Sequence, residues 1–237
     1  MRTVDIIPGT NYRIIQSESS FKYGIDSILL SSFCNMKKGS TLIDIGTGVG
    51  ILALRCHALY SLGRVYAYEI QEELAILASE SVSINGVDDE IFVINKNIME
   101  SELEEKVDYI ITNPPYVEAG RGIENKSEAK LIAFHEVTLN LVDIFKYARD
   151  HLVQHGKLIM INRSNRLVDI MSIARLYKLE PVRMRSVHSK INSKSKLVMC
   201  EFVLGGGKNF TYESPLIIYD ESGNYTEEIK EIYYGKR

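Results

Sequence analysis

The chain has 237 residues, 45% of them hydrophobic and 25% charged, enough for a full α/β core and too apolar for a disordered chain. No apolar run approaches the length of a membrane span, and Met1-Arg2-Thr3-Val4-Asp5 lacks the basic-then-apolar pattern of a signal peptide, so a cytoplasmic protein is expected. A net charge of −3 excludes a uniformly basic chain, yet Lys157 to Lys208 hold 11 Lys/Arg against three acids, which suits either a phosphate-contacting surface or a solvated face.

In chain order, Asn11 to Gln16 reads as a short strand and Phe21 to Gly24 as a turn. A helix follows through Ile28, Leu29 and Phe33, with Asp26 placed to cap it or complement its dipole and Lys37-Lys38-Gly39 as its end. Alternation then begins: strand 41–45, helix 50–60, strand 64–69, helix 72–85, strand 91–94, an acidic helical turn 98–105, and strand 107–112. In the helix over 72–85, Leu74, Leu77, Ala78, Ser81 and Val82 share one face. After a polar loop at 120–127, a helix over 137–153 ends at His155-Gly156, with Leu141, Ile144, Phe145 and Ala148 inward. Strand 158–161, helix 165–177 and strands 180–187 and 196–204 close the pattern, and Pro215 to Tyr219 reads as one more edge strand or a packed extension.

This order predicts an α/β, Rossmann-like, doubly wound sheet of seven strands, mostly parallel with one antiparallel strand. One domain over 1–237 is expected, with a 1–40 segment before a 41–204 core and a 205–237 extension after it. Cys34, Cys56 and Cys200 are odd in number and widely spaced, which fits neither a disulfide framework nor a metal site.

Two stretches carry chemistry. Asp44-Ile45-Gly46-Thr47-Gly48-Val49-Gly50 joins a strand to a helix, with glycines that allow positive φ and a close ligand approach, and unpaired N–H groups expected at the helix start. Glu69, at the end of the next strand, is placed to accept hydrogen bonds from a ribose. Asn113-Pro114-Pro115-Tyr116 follows another strand. Its prolines remove donors, so the turn presents carbonyls, and the Asn113 side chain adds one more acceptor. Two acceptors suit an NH₂ group, and Tyr116 offers a flat face on which a base can stack. Holding both N–H bonds of an adenine amine favours a more tetrahedral nitrogen, whose lone pair can attack a methyl group by orientation and electrostatics alone.

In these two motifs and Glu69, in this order, the chain resembles the class I S-adenosylmethionine-dependent methyltransferases. Within them it is similar to the bacterial tRNA adenine-N6-methyltransferases that modify the adenosine beside the anticodon of a valine tRNA. The likeness also takes in Phe21 to Leu30, Gly122 to Asn125, His135-Glu136, Arg166 to Ile170 and Pro215 to Tyr225. It implies that S-adenosylmethionine is held by Asp44, Gly46, Gly48, Gly50, Glu69, Ile70, Asn97, Ile98 and Asn113, with Phe21, Tyr23 and Asp26 closing over it. It further implies that Asn113 and the Pro114 carbonyl bind the target amine while Tyr116 stacks on the base. A tRNA partner and no metal follow, and Arg163, Arg166, Arg183, Arg185, Lys190 and Lys194 are the expected RNA contacts. A monomer is expected, with a dimer left open.

Two departures stand out: Asn97 replaces the Asp usual at the cofactor's adenine amine, and Phe134 stands where the family has an Arg before His135. Among other readings, release-factor glutamine methyltransferases share the Asn-Pro-Pro-Tyr turn but carry a helical domain ahead of the glycine motif, where this sequence has 43 residues. DNA or rRNA adenine methylation, a non-catalytic RNA-binding module and a dinucleotide oxidoreductase are further readings, the last leaving residues 113–116 without a role.

Overall fold

The computed structural model describes residues 2–17, 23–101, 103–114 and 140–235. Among these residues nine strands form the main sheet. β3 (Thr41–Ile45), β4 (Arg64–Glu69), β5 (Ile91–Asn95), β6 (Val107–Thr112) and β7 (Leu152–Arg163) are mutually parallel. β9 (Leu197–Leu204) runs antiparallel between β7 and β8 (Leu179–His188), giving the order β5-β4-β3-β6-β7-β9-β8. These are the seven expected strands, with the one antiparallel member. Two two-residue strands, β10 (Thr211–Tyr212) and β11 (Leu216–Ile217), extend the β8 edge, and β11 falls in the stretch read as an edge strand.

Both faces are covered because the strands are apolar on both sides. One core packs α1 (Ile25–Phe33), α2 (Ile51–Tyr60) and α3 (Glu72–Ser83) on the sheet through residues such as Leu30, Leu52 and Leu77. The other packs α4 (Leu141–His151) and α5 (Leu167–Leu176) through Ile144, Phe145 and Ile170. The expected inward face of α3 is buried throughout, and Ser81 within it accepts the Ile15 N–H at 2.9 Å. That bond docks β2 (Arg13–Ser17), whose antiparallel partner β1 (Arg2–Ile6) carried no sequence signal and exposes Val4 and Ile6.

Four expectations are corrected. α1 ends at Phe33, before the Lys37-Lys38-Gly39 stop, because the Tyr60 hydroxyl bonds the Ser31 and Cys34 carbonyls at 2.9 and 2.7 Å and Cys34 turns extended. α4 ends at His151; Leu152 already pairs with Val107, and His155 at φ +64° lies in the irregularity before Lys157 meets Tyr109. The turn after β5 is a 3₁₀ turn of three residues, Ile98–Glu100, shorter than expected, with Asn97 as its cap. The acidic tail contains a helix, α6 (Glu227–Tyr234), capped by Thr226 and buried through Ile229. The three cysteines are buried and unpaired as disulfides, and the loop expected at 120–127 lies outside the described residues.

Candidate active site

Strand register sets the site. Ile45 lies opposite Tyr68 on β4 and opposite Thr112 on β6, and the Thr112 hydroxyl donates to the Ile45 carbonyl at 3.0 Å. Gly46, Ile70 and Asn113 therefore leave neighbouring strands at one edge of the sheet. Adjacent strands are about 4.8 Å apart, so the Gly46 turn and the Asn113 turn share one crevice where the winding reverses.

Gly46 and Gly48 have φ of +72° and +60°, and a Cβ on either would meet nothing within 4 Å. The glycines serve the left-handed backbone and leave open space above it. Gly50 differs: a Cβ there would lie 3.4 Å from Ala78, so it packs α2 against α3. The turn's N–H groups are largely committed. Gly46 and Thr47 donate to the Tyr68 carbonyl at 3.0 and 2.9 Å, and Gly48 donates to Glu69 Oε2 at 2.9 Å. Glu69 Oε1 accepts the Gln71 N–H at 2.9 Å. The carboxylate expected to meet a ribose thus also anchors the glycine turn to β4.

Asp44 is completely buried. Its Oδ2 accepts from the Thr47 hydroxyl at 2.6 Å and from the Ala53 N–H at 3.2 Å, satisfying one donor of the first turn of α2. Its Oδ1 has no hydrogen-bond partner among the described residues. Burial pushes the Asp44 carboxyl up to about 7, against the two hydrogen bonds that lower it, with the Glu69 charge raising it further. An orphaned acceptor and two buried acids without a cationic partner among the described residues fit a positively charged ligand.

Ile70 is half-buried, and Ile98 is buried beneath the sheet edge. Asn97 Oδ1 accepts the Met99 N–H at 3.0 Å, so one of its lone pairs serves the turn. Asn113 is half-buried, and its Nδ2 donates to Ser27 Oγ on α1 at 3.0 Å, which turns its NH₂ towards α1. Pro114 follows it, half-buried. Asp26 lies in the first turn of α1. Tyr23 sits near Asp5 and Arg55; burial first, then the Asp5 charge, raises its phenol. Phe21, Tyr116, Phe134 and His135 lie outside the described residues.

The expected RNA contacts divide. Arg183 lies over the Phe33 ring at 3.8 Å and is bonded to Glu201 and Glu213 at 2.8 and 3.0 Å. Arg185 is bonded to Glu228 at 2.7 Å, and Arg166 to Asp169 at 3.0 Å. Arg163 ends β7 at the catalytic edge, while Lys190 and Lys194 are exposed in the β8–β9 loop. Among the described residues no helix is long and apolar enough to cross a membrane, and no cluster of His, Cys, Asp or Glu could hold a metal.

Sequence reasoning missed two side chains. Ser27 carried no signal beyond its place in the resembling segment. Arg55, buried on α2, donates to the Pro8, Ile28 and Ile232 carbonyls and to Ser31 and Ser32 at 2.6–3.0 Å. It ties the N-terminal hairpin, α1 and α6 together, and burial lowers its pKa. A lone arginine inside the apolar run Ile51 to Cys56 was the available cue.

An open glycine turn over buried acids, at the reversal point of a doubly wound sheet with one antiparallel strand, is the frame of a Rossmann-like methyltransferase. The chain belongs to the methyltransferase small domain family, whose profile matches residues 17–174. It is 26% identical over 235 residues, 94% of this chain and 91% of the relative, to the tRNA1(Val) (adenine(37)-N6)-methyltransferase of Porphyromonas gingivalis. In fold it is similar to a crystal structure titled as a predicted O-methyltransferase from Agrobacterium tumefaciens, with a TM-score of 0.69, 18% identity and coverage of 89% and 96% of the two chains. A SAM-dependent O-methyltransferase from Thermotoga maritima matches with a TM-score of 0.56 at 18% identity, covering 80% of this chain and 68% of that one.

Proposed function

We propose that the chain methylates N6 of an adenosine in RNA, with the adenosine at position 37 of a valine tRNA anticodon loop as its substrate. The observation that supports this most is the register that sets Asn113 one step beyond Thr112, directly across from the open glycine turn. The name of the P. gingivalis relative, matched along nearly its whole length, supports the choice of base and RNA.

When bound, S-adenosylmethionine supplies an electrophilic methyl group on a sulfonium. Asp44 would hold its positive charge and Glu69 its ribose, Gly46 and Gly48 would let it approach the backbone, and Ile70 and Ile98 would line the adenine side. Ser27 keeps the Asn113 NH₂ directed at α1, so that the amide oxygen is the group offered to the target amine. Asn113 Oδ1 and the Pro114 carbonyl each accept one N–H of that amine, which localises the nitrogen lone pair towards the methyl group. Tyr116 is the stacking partner of the base, as in the family it resembles. A base in an RNA loop is already partly unstacked, so presenting it costs less than extruding one from a duplex, which takes a few kcal/mol.

Incubation with labelled cofactor and total small RNA, followed by nucleoside mapping, tests the reading. N6-methyladenosine at one anticodon-loop position is the expected product. Methylglutamine on a release factor, with no methylated nucleoside, would overturn it.

A further inference from the structure

The β8–β9 loop rises from the same edge of the sheet as Asn113, because β8 and β6 point the same way. Three strand spacings separate them, about 14 Å. The loop's backbone is held by its own hydroxyls. Ser193 Oγ accepts the Lys190 N–H at 3.0 Å and donates to the Lys190 carbonyl at 2.7 Å, and His188 Nδ1 lies 2.7 Å from the Ser193 carbonyl. Ser195 and Ser164, whose hydroxyls are 2.8 Å apart, join the loop to the turn after β7, and the Ser164 N–H donates to the Lys196 carbonyl at 3.0 Å.

What this frame presents outward is Lys190, Ile191, Lys194 and Lys196. Ile191 is 67% exposed, and none of the three lysines has an ion pair among the described residues. The arginines behind them on β8, by contrast, are bound to acids. Three uncompensated cations around a bare aliphatic tip, on a pre-ordered hairpin, match a strand with phosphates on one side and unstacked bases on the other.

We propose that this hairpin loop is the RNA clamp of the site. Lys190, Lys194 and Lys196 hold phosphates a few nucleotides from the target adenosine, and Ile191 packs on an unstacked base between them. The clamp rests on the RNA reading above and adds Ile191 and Lys196 to it, while Arg183 and Arg185 drop out as contacts.

The test uses the full chain and an RNA stem-loop with a single loop adenosine, with a perfect RNA duplex as control. In Lys190→Glu/Lys194→Glu/Lys196→Glu, KM for the stem-loop should rise about tenfold or more, and the slope of log Kd against log salt should fall by about two. The kcat at saturating RNA and the Kd for S-adenosylmethionine should stay within about twofold, since these side chains lie on the loop's outside. Ile191→Ser should raise KM several-fold for the stem-loop and not for duplex binding, with the salt slope unchanged. An unaltered KM and salt slope in the triple variant, while the wild-type chain methylates the stem-loop, would overturn the clamp alone. An Ile191→Ser protein indistinguishable from wild type would overturn the base contact. A wild-type chain that methylates a protein or DNA and no RNA would sink the RNA reading and the clamp with it.

Discussion

Three buried carboxylates divide the sheet into two unlike halves. In the β7–β9 half, Glu201 accepts from Lys157 at 2.7 Å and Arg183 at 2.8 Å, so its charge is balanced inside the fold. In the half that holds β3, β4 and β6, Asp44 and Glu69 are as deeply buried, yet among the described residues they accept only from neutral donors: the Thr47 hydroxyl, backbone N–H groups and the Gln71 side-chain amide at 3.5 Å. A balanced buried acid is a structural device; an unbalanced pair is a site that awaits positive charge. In the function proposed above, S-adenosylmethionine would supply that charge, as an ammonium and a sulfonium.

The sharpest way to break the contrast is at the catalytic turn. Asn113→Ala should lower turnover by about a thousandfold, the scale of losing an oriented hydrogen-bonding group at a reacting centre, while cofactor binding by calorimetry persists with a far smaller loss, Asn113 being one of several residues expected to hold it. Loss of both together would remove Asn113 from the amine site. Asp44→Asn should weaken cofactor binding by about tenfold or more, because a buried charge partner is lost.

The pH dependence of Asp44 carries a definite sign. Its folded value, about 7, lies above the usual 3.8, so the folded chain holds a proton that the unfolded chain releases. Stability from this group is full below about pH 4 and declines as pH rises to about 7, by about 4 kcal/mol at most. Denaturation of Asp44→Asn and wild type should therefore show the difference shifting by up to that amount in favour of the variant between pH 4 and pH 8. Cofactor affinity of the wild type should strengthen over the pH range around 7, as the carboxylate becomes charged. A flat difference in stability would mean that Asp44 is already ionised when free.

Glu201→Gln tests the balanced half with the opposite sign. It should cost about 2 kcal/mol, below the 3–5 typical of fully buried pairs because Lys157 and Arg183 keep 30% and 22% of their side-chain surface exposed. Cofactor affinity should be unchanged. Arg185→Ala should have the smallest effect, about 1 kcal/mol in stability, since its partner Glu228 keeps 47% of its side-chain surface exposed, with no change in RNA affinity.

Much of the frame was legible in the residues. The bounds of β3, β4 and β6 follow from short apolar runs closed by Asp44 to Gly50, Glu69 and Asn113, because a strand that must end at a crevice ends in residues that cannot continue it. The inward face of α3 follows from its period. What escaped is what depends on distant partners. β1 is a strand only because β2 pairs with it on the platform of α3. The end of α1 is set by a tyrosine 26 residues downstream. The basic stretch could not be sorted into structural and free cations, because Glu213 and Glu228 lie beyond it and Glu201 meets Arg183 only through the pairing of β8 with β9.

By itself, the order of residues determined the alternation of strands and helices, the glycine turn and the acceptor turn, since backbone freedom and hydrophobic period are local properties. Only the tertiary structure decided that the two turns leave one edge of the sheet, that Asp44 keeps an acceptor unmet among the described residues, and which lysines at that edge have no ion pair among them. Strand register, burial and ion pairing are relations between residues far apart in the chain, and they exist only once the sheet has closed around them.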